Sequence, residues 1–246
     1  VSTISGISFT TCMIGLSVFA ILITVGGMKV IGYTDVIQVF FLILGGLATT
    51  YLALDLVSKE FGVEGVSGAL NTIFTNSQDH FHMIFKPSQL SYPDGEGGTK
   101  DAYMYLPGLT VLIGGMWIVN LNYWGCNQYI TQRALGADLK TARQGILFAA
   151  FLKLLMPVIF VLPGIAAYTL YQKGLFQAEM LNDNVLKPDR AYPVLLNLLP
   201  VGLKGLSFAA LTAAIVASLA GKANSISTIF TLDIYKKYIA KDADEK

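Results

Sequence analysis

Runs of apolar residues cut by short charged punctuation organise the whole chain. Val1 to Met28 contains no charged residue, nor does Val36 to Leu54, nor Ala102 to Gln132. A fourth run, Gln144 to Gln172, is interrupted by Lys153 alone, and a fifth, Gly205 to Gly221, is framed by Lys204 and Lys222 and continues through "ANSISTIFTL". A helix rises about 1.5 Å per residue, so runs of this length suffice for roughly 30 Å of hydrocarbon. The pattern predicts an all-α, polytopic membrane domain over residues 1–246, with five spans at about 7–30, 35–56, 103–132, 144–172 and 203–235. Between the second and third spans the pattern changes. "FGVEGVSGALNTIF" places aromatic and aliphatic residues at helical spacing and "PDGEGG" is a turn-rich break, which predicts a short amphipathic helix lying at the outer interface.

Composition narrows the class. With 54% hydrophobic and 13% charged residues, the chain has too little polar surface for an ordinary soluble domain. A net charge of +1 offers no basic stripe for phosphates, which argues against nucleic acid as a partner. Cys12 and Cys126 lie in or beside apolar runs without CxxC spacing, as reduced packing residues do. His80 and His82 alternate with Asp79 and Phe81, but two histidines without a third ligand form no metal cage, so a solvated loop is the simpler reading. The sequence holds no Ser/His/Asp or Cys/His set and no phosphate-cradling glycine loop, so neither an enzyme nor a bound cofactor is expected. The first apolar run lacks a basic leader and the pattern recurs, unlike a cleaved signal peptide. With no initiator methionine and an end soon after a span, the chain reads as a piece of a larger protein.

Charge in the connections predicts orientation. Short cytoplasmic loops collect Lys and Arg. "NQYITQRALGADLKTARQ" sets Arg133, Lys140 and Arg143 against Asp138 alone, and "LDIYKKYIAKDADEK" brings Lys236, Lys237 and Lys241 beside a span. Both segments are then cytoplasmic, as is a turn near Lys29, while the loops at about 57–107 and 173–200 lie outside, so the chain starts outside and ends inside.

Several polar groups sit where the pattern makes them costly. In "LPGLTVLIGGMWIVNLNYWGCNQ", Gly114 and Gly115 precede Asn120, Asn122, Tyr123 and Trp124. Either the helix is interrupted near the midplane, exposing these groups to a solute, or small residues and amides pack helix against helix. Lys153 has two destinations, a polar cavity or the cytoplasmic interface by snorkelling. It lies about 15 Å beyond Arg143 along a helix, near mid-bilayer, which favours the cavity. Asp35, before an apolar run, is read as a helix cap, with attraction of cations on a sodium path as the alternative.

Three blocks carry a family resemblance: "GYTDVIQ" at 32–38, "NYWGCNQYITQRALGA" at 122–137 leading to "FLKLLMP" at 151–157, and "SLAGKANSISTIFTLDIY" at 218–235. In this order the chain resembles the sodium/solute symporter family, most closely its sodium/sugar branch. The resemblance implies a LeuT-like core of five plus five helices in inverted repeat, of which this chain holds the fourth to eighth, and a multi-pass protein of the plasma membrane (the inner membrane of a bacterium). The other helices of the parent transporter, the bilayer, sodium as coupling ion and a galactose- or glucose-like sugar are its implied partners. It further implies that Tyr123 is an aromatic gate stacked under the sugar, and that Asn120 and Lys153 bond sugar hydroxyls. For sodium it implies the carbonyl of Ala214 and the hydroxyl of Ser218. Many members place two hydroxyl residues side by side there, whereas this chain has Ala217 before Ser218, and a small-residue packing face is the competing reading. Gln132 and Arg133 resemble a paired Gln-Arg that holds the inner loop. The implied function is sodium-coupled sugar symport by alternating access. A sensor with a symporter-like membrane domain and a symporter of another small solute are the alternatives, while a channel is disfavoured for want of a charged ring or carbonyl filter.

Overall fold

Helix boundaries in the computed structural model, which describes residues 1–82, 84–93, 98–101, 103, 111–182 and 185–242, follow from local chemistry. After a single turn, α1 (Ser2–Ser5), the helix α2 (Phe9–Val25) starts where the Ser8 hydroxyl accepts the Thr11 N–H at 3.2 Å. The helical path breaks at Gly26 and Gly27, the latter at φ +73, a conformation glycine adopts without a Cβ clash. Helix α3 (Gly27–Phe61) then runs unbroken for 35 residues and ends at left-handed Gly62, whose N–H bonds Lys59 O and Ser58 O. The turn expected near Lys29 therefore falls two residues earlier, because Gly27 supplies the unusual backbone angle. Residues 29–35 form the opening turns of α3, and Asp35 is interior to that helix, not its cap.

The amphipathic helix expected in the following loop is α4 (Gly65–Asn76), which buries Ala69 and Ile73 and leaves Val66, Leu70 and Phe74 exposed. Strands β1 (Ser91–Pro93) and β2 (Thr99–Asp101) pair antiparallel around the turn-rich break, whose residues 94–97 lie outside the described ones. Beyond these come α5 (Met116–Leu121), α6 (Gln128–Leu135) and α7 (Leu139–Gln172). Asp138 caps α7, its carboxylate accepting the N–H groups of Lys140 and Thr141 at 3.0 Å each. Only residues 136–138 separate α6 from α7, so the basic connection read as a loop is mostly helical. The remaining elements are α8 (Gln177–Met180), the small hairpin β3 (Leu181–Asn182) and β4 (Val185–Leu186), α9 (Ala191–Leu196) and α10 (Val201–Ile229). Wide π-type turns over Phe230–Ile239 extend α10.

Three helical stretches, Lys29–Phe61, Leu139–Gln172 and Val201–Ile239, are long and apolar enough to cross a membrane, and α2 is a shorter apolar helix. The stretches expected at about 35–56, 144–172 and 203–235 lie on the three long helices, whereas 7–30 covers α2 and runs across the break at Gly26 and Gly27. The stretch at 103–132 does not form one continuous helix in its described part, residues 111–132, while residues 104–110 lie outside the description.

The fully buried core gathers Ala53, Leu54 and Val57 of α3, Ala69 and Ile73 of α4, Ile165 and Leu170 of α7, and Leu195 of α9. Nearer the middle of α3, Gly45 lies directly against Ser207 of α10 and Gly46 against the Ile159 side chain of α7, with no room for a Cβ at either glycine. Thr50 bonds the Val158 carbonyl at 3.1 Å across the same α3–α7 crossing. Small residues at these points let backbones approach, the packing mode helices use where lipid removes the usual hydrophobic drive.

Candidate functional site

The stretch carrying Tyr123 is irregular. Wide turns over Val111–Gly115 lead into α5, a second set spans Asn122–Cys126, and Asn127 breaks the helix with extended backbone at φ −80, ψ 110. The Asn127 side chain accepts the Tyr129 N–H at 3.1 Å and so restarts the chain as α6. Of the two readings of this stretch, the backbone follows the interrupted one, with the break at Asn127, after the aromatic pair. Such π-type turns are uncommon and recur at functional sites.

The wide turn sets the Tyr123 and Trp124 rings edge to face, 5.3 Å apart at 84°. Lys153 of α7 reaches across, its Nζ lying 4.3 Å from the Tyr123 ring centroid and 4.7 Å from that of Trp124. Each contact is a cation–π interaction, worth about 0.5–2 kcal/mol according to desolvation. Among the described residues no carboxylate pairs with Lys153. The structure therefore brings Tyr123 and Lys153 together. Asn120 stands one helical turn before them, exposed, with its amide donating to Met116 O at 2.8 Å. Trp124, the second ring of this cage, is named in the sequence with Asn120, Asn122 and Tyr123 but is given no role there; its signal is its place beside Tyr123.

Ala214 and Ser218 lie four residues apart on α10, both half-buried, a spacing that puts them on one face of the helix. Thr212, Ser225 and Thr228 each donate their hydroxyl to the carbonyl four residues back, whereas Ser218 makes no such bond among the described residues. Beside them Val216, Ala217 and Ala220 are buried, and Thr24 of α2 bonds the Ala220 carbonyl at 3.4 Å. Ala217 thus belongs to the packed face.

A polar junction lies beyond the Asn127 break. The Asp35 carboxylate pairs with Arg133 at 2.9 Å. Arg133 also lies over the Tyr129 ring, 4.7 Å from its centroid, and donates to the Tyr129 hydroxyl at 3.3 Å. Gln132 donates to Ser225 Oγ at 2.6 Å and to Gly221 O at 3.4 Å. Gln132 and Arg133 thereby tie α6 to α10 and α3. The two cysteines are free, and among the described residues no cluster of His, Cys, Asp and Glu could hold a metal. His80 instead stacks on Tyr168 at 4.4 Å.

Comparison with known proteins gives the family. The sodium:solute symporter family matches residues 1–246. The chain is 45% identical to a sodium/glucose cotransporter of Vibrio parahaemolyticus, over 99% of this chain and 44% of the relative. It is 31% identical to the uncharacterized symporter YidK of Escherichia coli (strain K12), over 89% of this chain and 34% of that protein. It is 33% identical to sodium/myo-inositol cotransporter 2 of Homo sapiens, over 94% of this chain and 34% of that protein. The chain thus spans less than half the length of these relatives. With a family match over its whole length and membrane-length apolar helices, this chain is a membrane protein that belongs to the sodium:solute symporter family.

Proposed function

We propose that this chain supplies part of the solute and sodium pathway of a multi-pass symporter in the plasma membrane, which couples inward sodium flow to uptake of a galactose- or glucose-like sugar by alternating access. The observation that carries the reading is the Lys153 ammonium held over two aromatic rings beside a broken helix. A pyranose has a flat C–H face and a rim of hydroxyls. Tyr123 meets the face, and the Lys153 ammonium and the Asn120 amide meet hydroxyls, so that each polar group gains a partner when the sugar enters. An amine in a membrane span is tolerated where it faces a polar cavity, which on this reading helices outside this chain complete over the exposed Lys153. The name of the Vibrio relative favours glucose; the names of the inositol cotransporters favour a cyclic polyol, whose hydroxyl rim is chemically alike.

On this reading the carbonyl of Ala214 and the hydroxyl of Ser218 are sodium ligands, joined by oxygens from helices outside this chain. Hard oxygen donors without a full negative charge suit a monovalent ion that must also leave. Sodium and sugar stabilise one conformation together, so each raises the other's affinity. Asp35 serves a sodium path only when Arg133 releases it. The remaining helices of the transporter, packed five plus five, complete both sites.

Radiolabelled sugar uptake into proteoliposomes of the full-length protein tests the reading. Uptake driven by an inward sodium gradient is expected for glucose, galactose or myo-inositol, with severe loss in Lys153→Ala and Tyr123→Ala. Uptake that ignores the gradient rejects coupling, and unaffected variants reject these contacts.

A further inference from the structure

We propose that the ends of α3, α4 and α7 form a headgroup site for a phospholipid that carries both a phosphate and a primary ammonium, as ethanolamine lipids do. The inference goes beyond the transport reading and does not depend on it. A cleft of about 190 Å³ opens where these helices finish, lined by Phe61, Asn76, Thr169, Gln172 and Lys173. Phe61 is the last residue of α3, Asn76 the last of α4 and Gln172 the last of α7. Three C-termini thus converge on one cleft, each carrying roughly half a negative charge on its terminal carbonyls. Among the described residues no carboxylate lines it.

The lining assigns the two halves of the ligand. Lys173, at the cap of α7, holds its Nζ 4.3 Å from the Phe61 ring centroid. A ring face steadies an ammonium without cancelling its charge, and among the described residues no carboxylate pairs with Lys173. An anionic oxygen is the partner it can still take. Such an anion is disfavoured alone against three negative helix ends, so the ligand must bring a cation with it. The Asn76 amide donates to Thr72 O at 3.0 Å, which leaves its side-chain oxygen to accept from that cation, beside the terminal carbonyls. Behind them the wall is fixed: buried Thr169 shares a 2.9 Å hydrogen bond with buried Ser77. Position points to lipid as the source. The apolar stretches Lys29–Phe61 and Leu139–Gln172 are 33 and 34 residues long, about 50 Å of helix against a bilayer of about 40–45 Å with its headgroups. Their shared end therefore lies at headgroup level, on the side that loop charge predicts as outer. There α4 leaves Val66, Leu70 and Phe74 exposed, an apolar row suited to an interface. The cleft is also smaller than the roughly 300–1,000 Å³ of sites for drug-sized ligands, as a headgroup requires.

Native mass spectrometry of the detergent-solubilised full-length protein, titrated with phosphatidylethanolamine, phosphatidylcholine or phosphatidylglycerol, tests the site. The ethanolamine lipid is expected to bind at least about tenfold more tightly than the others, because the choline lipid has no ammonium N–H to donate and the glycerol lipid has no cation. Lys173→Ala and Asn76→Ala should each weaken that binding about tenfold. Both side chains are exposed, so neither change disturbs the core, and Lys173→Arg, which keeps the charge, should retain binding. Lys59→Ala removes an exposed lysine of α3 outside the cleft and should have no effect. Equal binding of the three lipids, or ethanolamine-lipid binding that survives Lys173→Ala, overturns the proposal. Preference for the glycerol lipid marks a simple anion site and overturns it too. Soluble glycerophosphoethanolamine separates the two sources of the same headgroup: weak competition is expected, and competition as strong as that of the intact lipid overturns the lipid assignment. None of these readouts uses transport, so uptake that ignores the sodium gradient bears on the transport reading alone.

Discussion

A lone ammonium among apolar residues is stable only where something replaces its water, and the Tyr123 and Trp124 rings do part of that for Lys153. Replacing Trp124 with Ala removes one ring, and the apparent affinity for the solute should fall about two- to thirtyfold, the range a cation–π contact spans. Trp124→Phe keeps a ring face and should retain most of it; concentration-dependent uptake reads both, and equal behaviour of the two variants would count against the cage. Asp138 gives a second residue-scale expectation. Hydrogen bonds from Thr141 hold its carboxyl below the usual carboxylate range. A group whose acid strength is raised by folding contributes fully above its unfolded pKa of about 3.9 and loses that contribution as pH falls through the lower folded value. The protection of first-turn α7 amides, taken relative to the intrinsic exchange rate at each pH, should therefore fall only on strong acidification, and Asp138→Ala should abolish that fall. The family resemblance implied that Tyr123 and Lys153 serve one site, and their cost in apolar surroundings marked each of them out, but their direct contact was not an expectation. Nor were the role of the second ring and that of Arg133 as the partner of Asp35, because both depend on where the chain turns between Asn122 and Asn127.

Elements with regular chemistry were the easiest to anticipate. The long apolar helices follow from uncharged runs, and α4 follows from its spacing of aliphatic and aromatic residues. Boundaries set by backbone geometry were harder: the break at Gly26 and Gly27 displaced the start of α3, and Asp35 changed from cap to ion-pair partner. The interruption at Asn127 is likewise invisible to hydropathy, since asparagine there is one polar residue among several. Close approach of α3 to its neighbours yields a test at this scale. Gly46→Ala drives a methyl into Ile159 and should destabilise the protein by about 1–3 kcal/mol through overpacking. Adding Ile159→Ala should recover much of that loss. Thermal unfolding of the detergent-solubilised protein measures both, and an unperturbed Gly46→Ala would mean that the α3–α7 crossing is looser than described.

At the scale of the whole molecule, burial is uneven. Only 6% of the most apolar window of α7 is buried, while the windows of the α3 and α10 spans are 28% buried. A helix apolar all round and left uncovered requires lipid or further helices against it, and the family relatives, more than twice as long as this chain, have chain to supply them. That unevenness explains why the polar groups of the candidate solute site stand open here while the core near α4 and α9 is closed. Sequence pattern conveyed the membrane class and the order of helices; it could not convey which faces await partners, because lipid-facing and helix-facing apolar surfaces have the same composition. Equilibrium binding of radiolabelled glucose and galactose to the purified full-length protein, with sodium and with choline in its place, tests the central claim most directly. The account predicts saturable binding that requires sodium and weakens at least about tenfold in Lys153→Ala, the loss expected for a hydrogen bond to a charged group, with helical content unchanged. Binding indifferent to sodium, or equally tight in the variant, would contradict it.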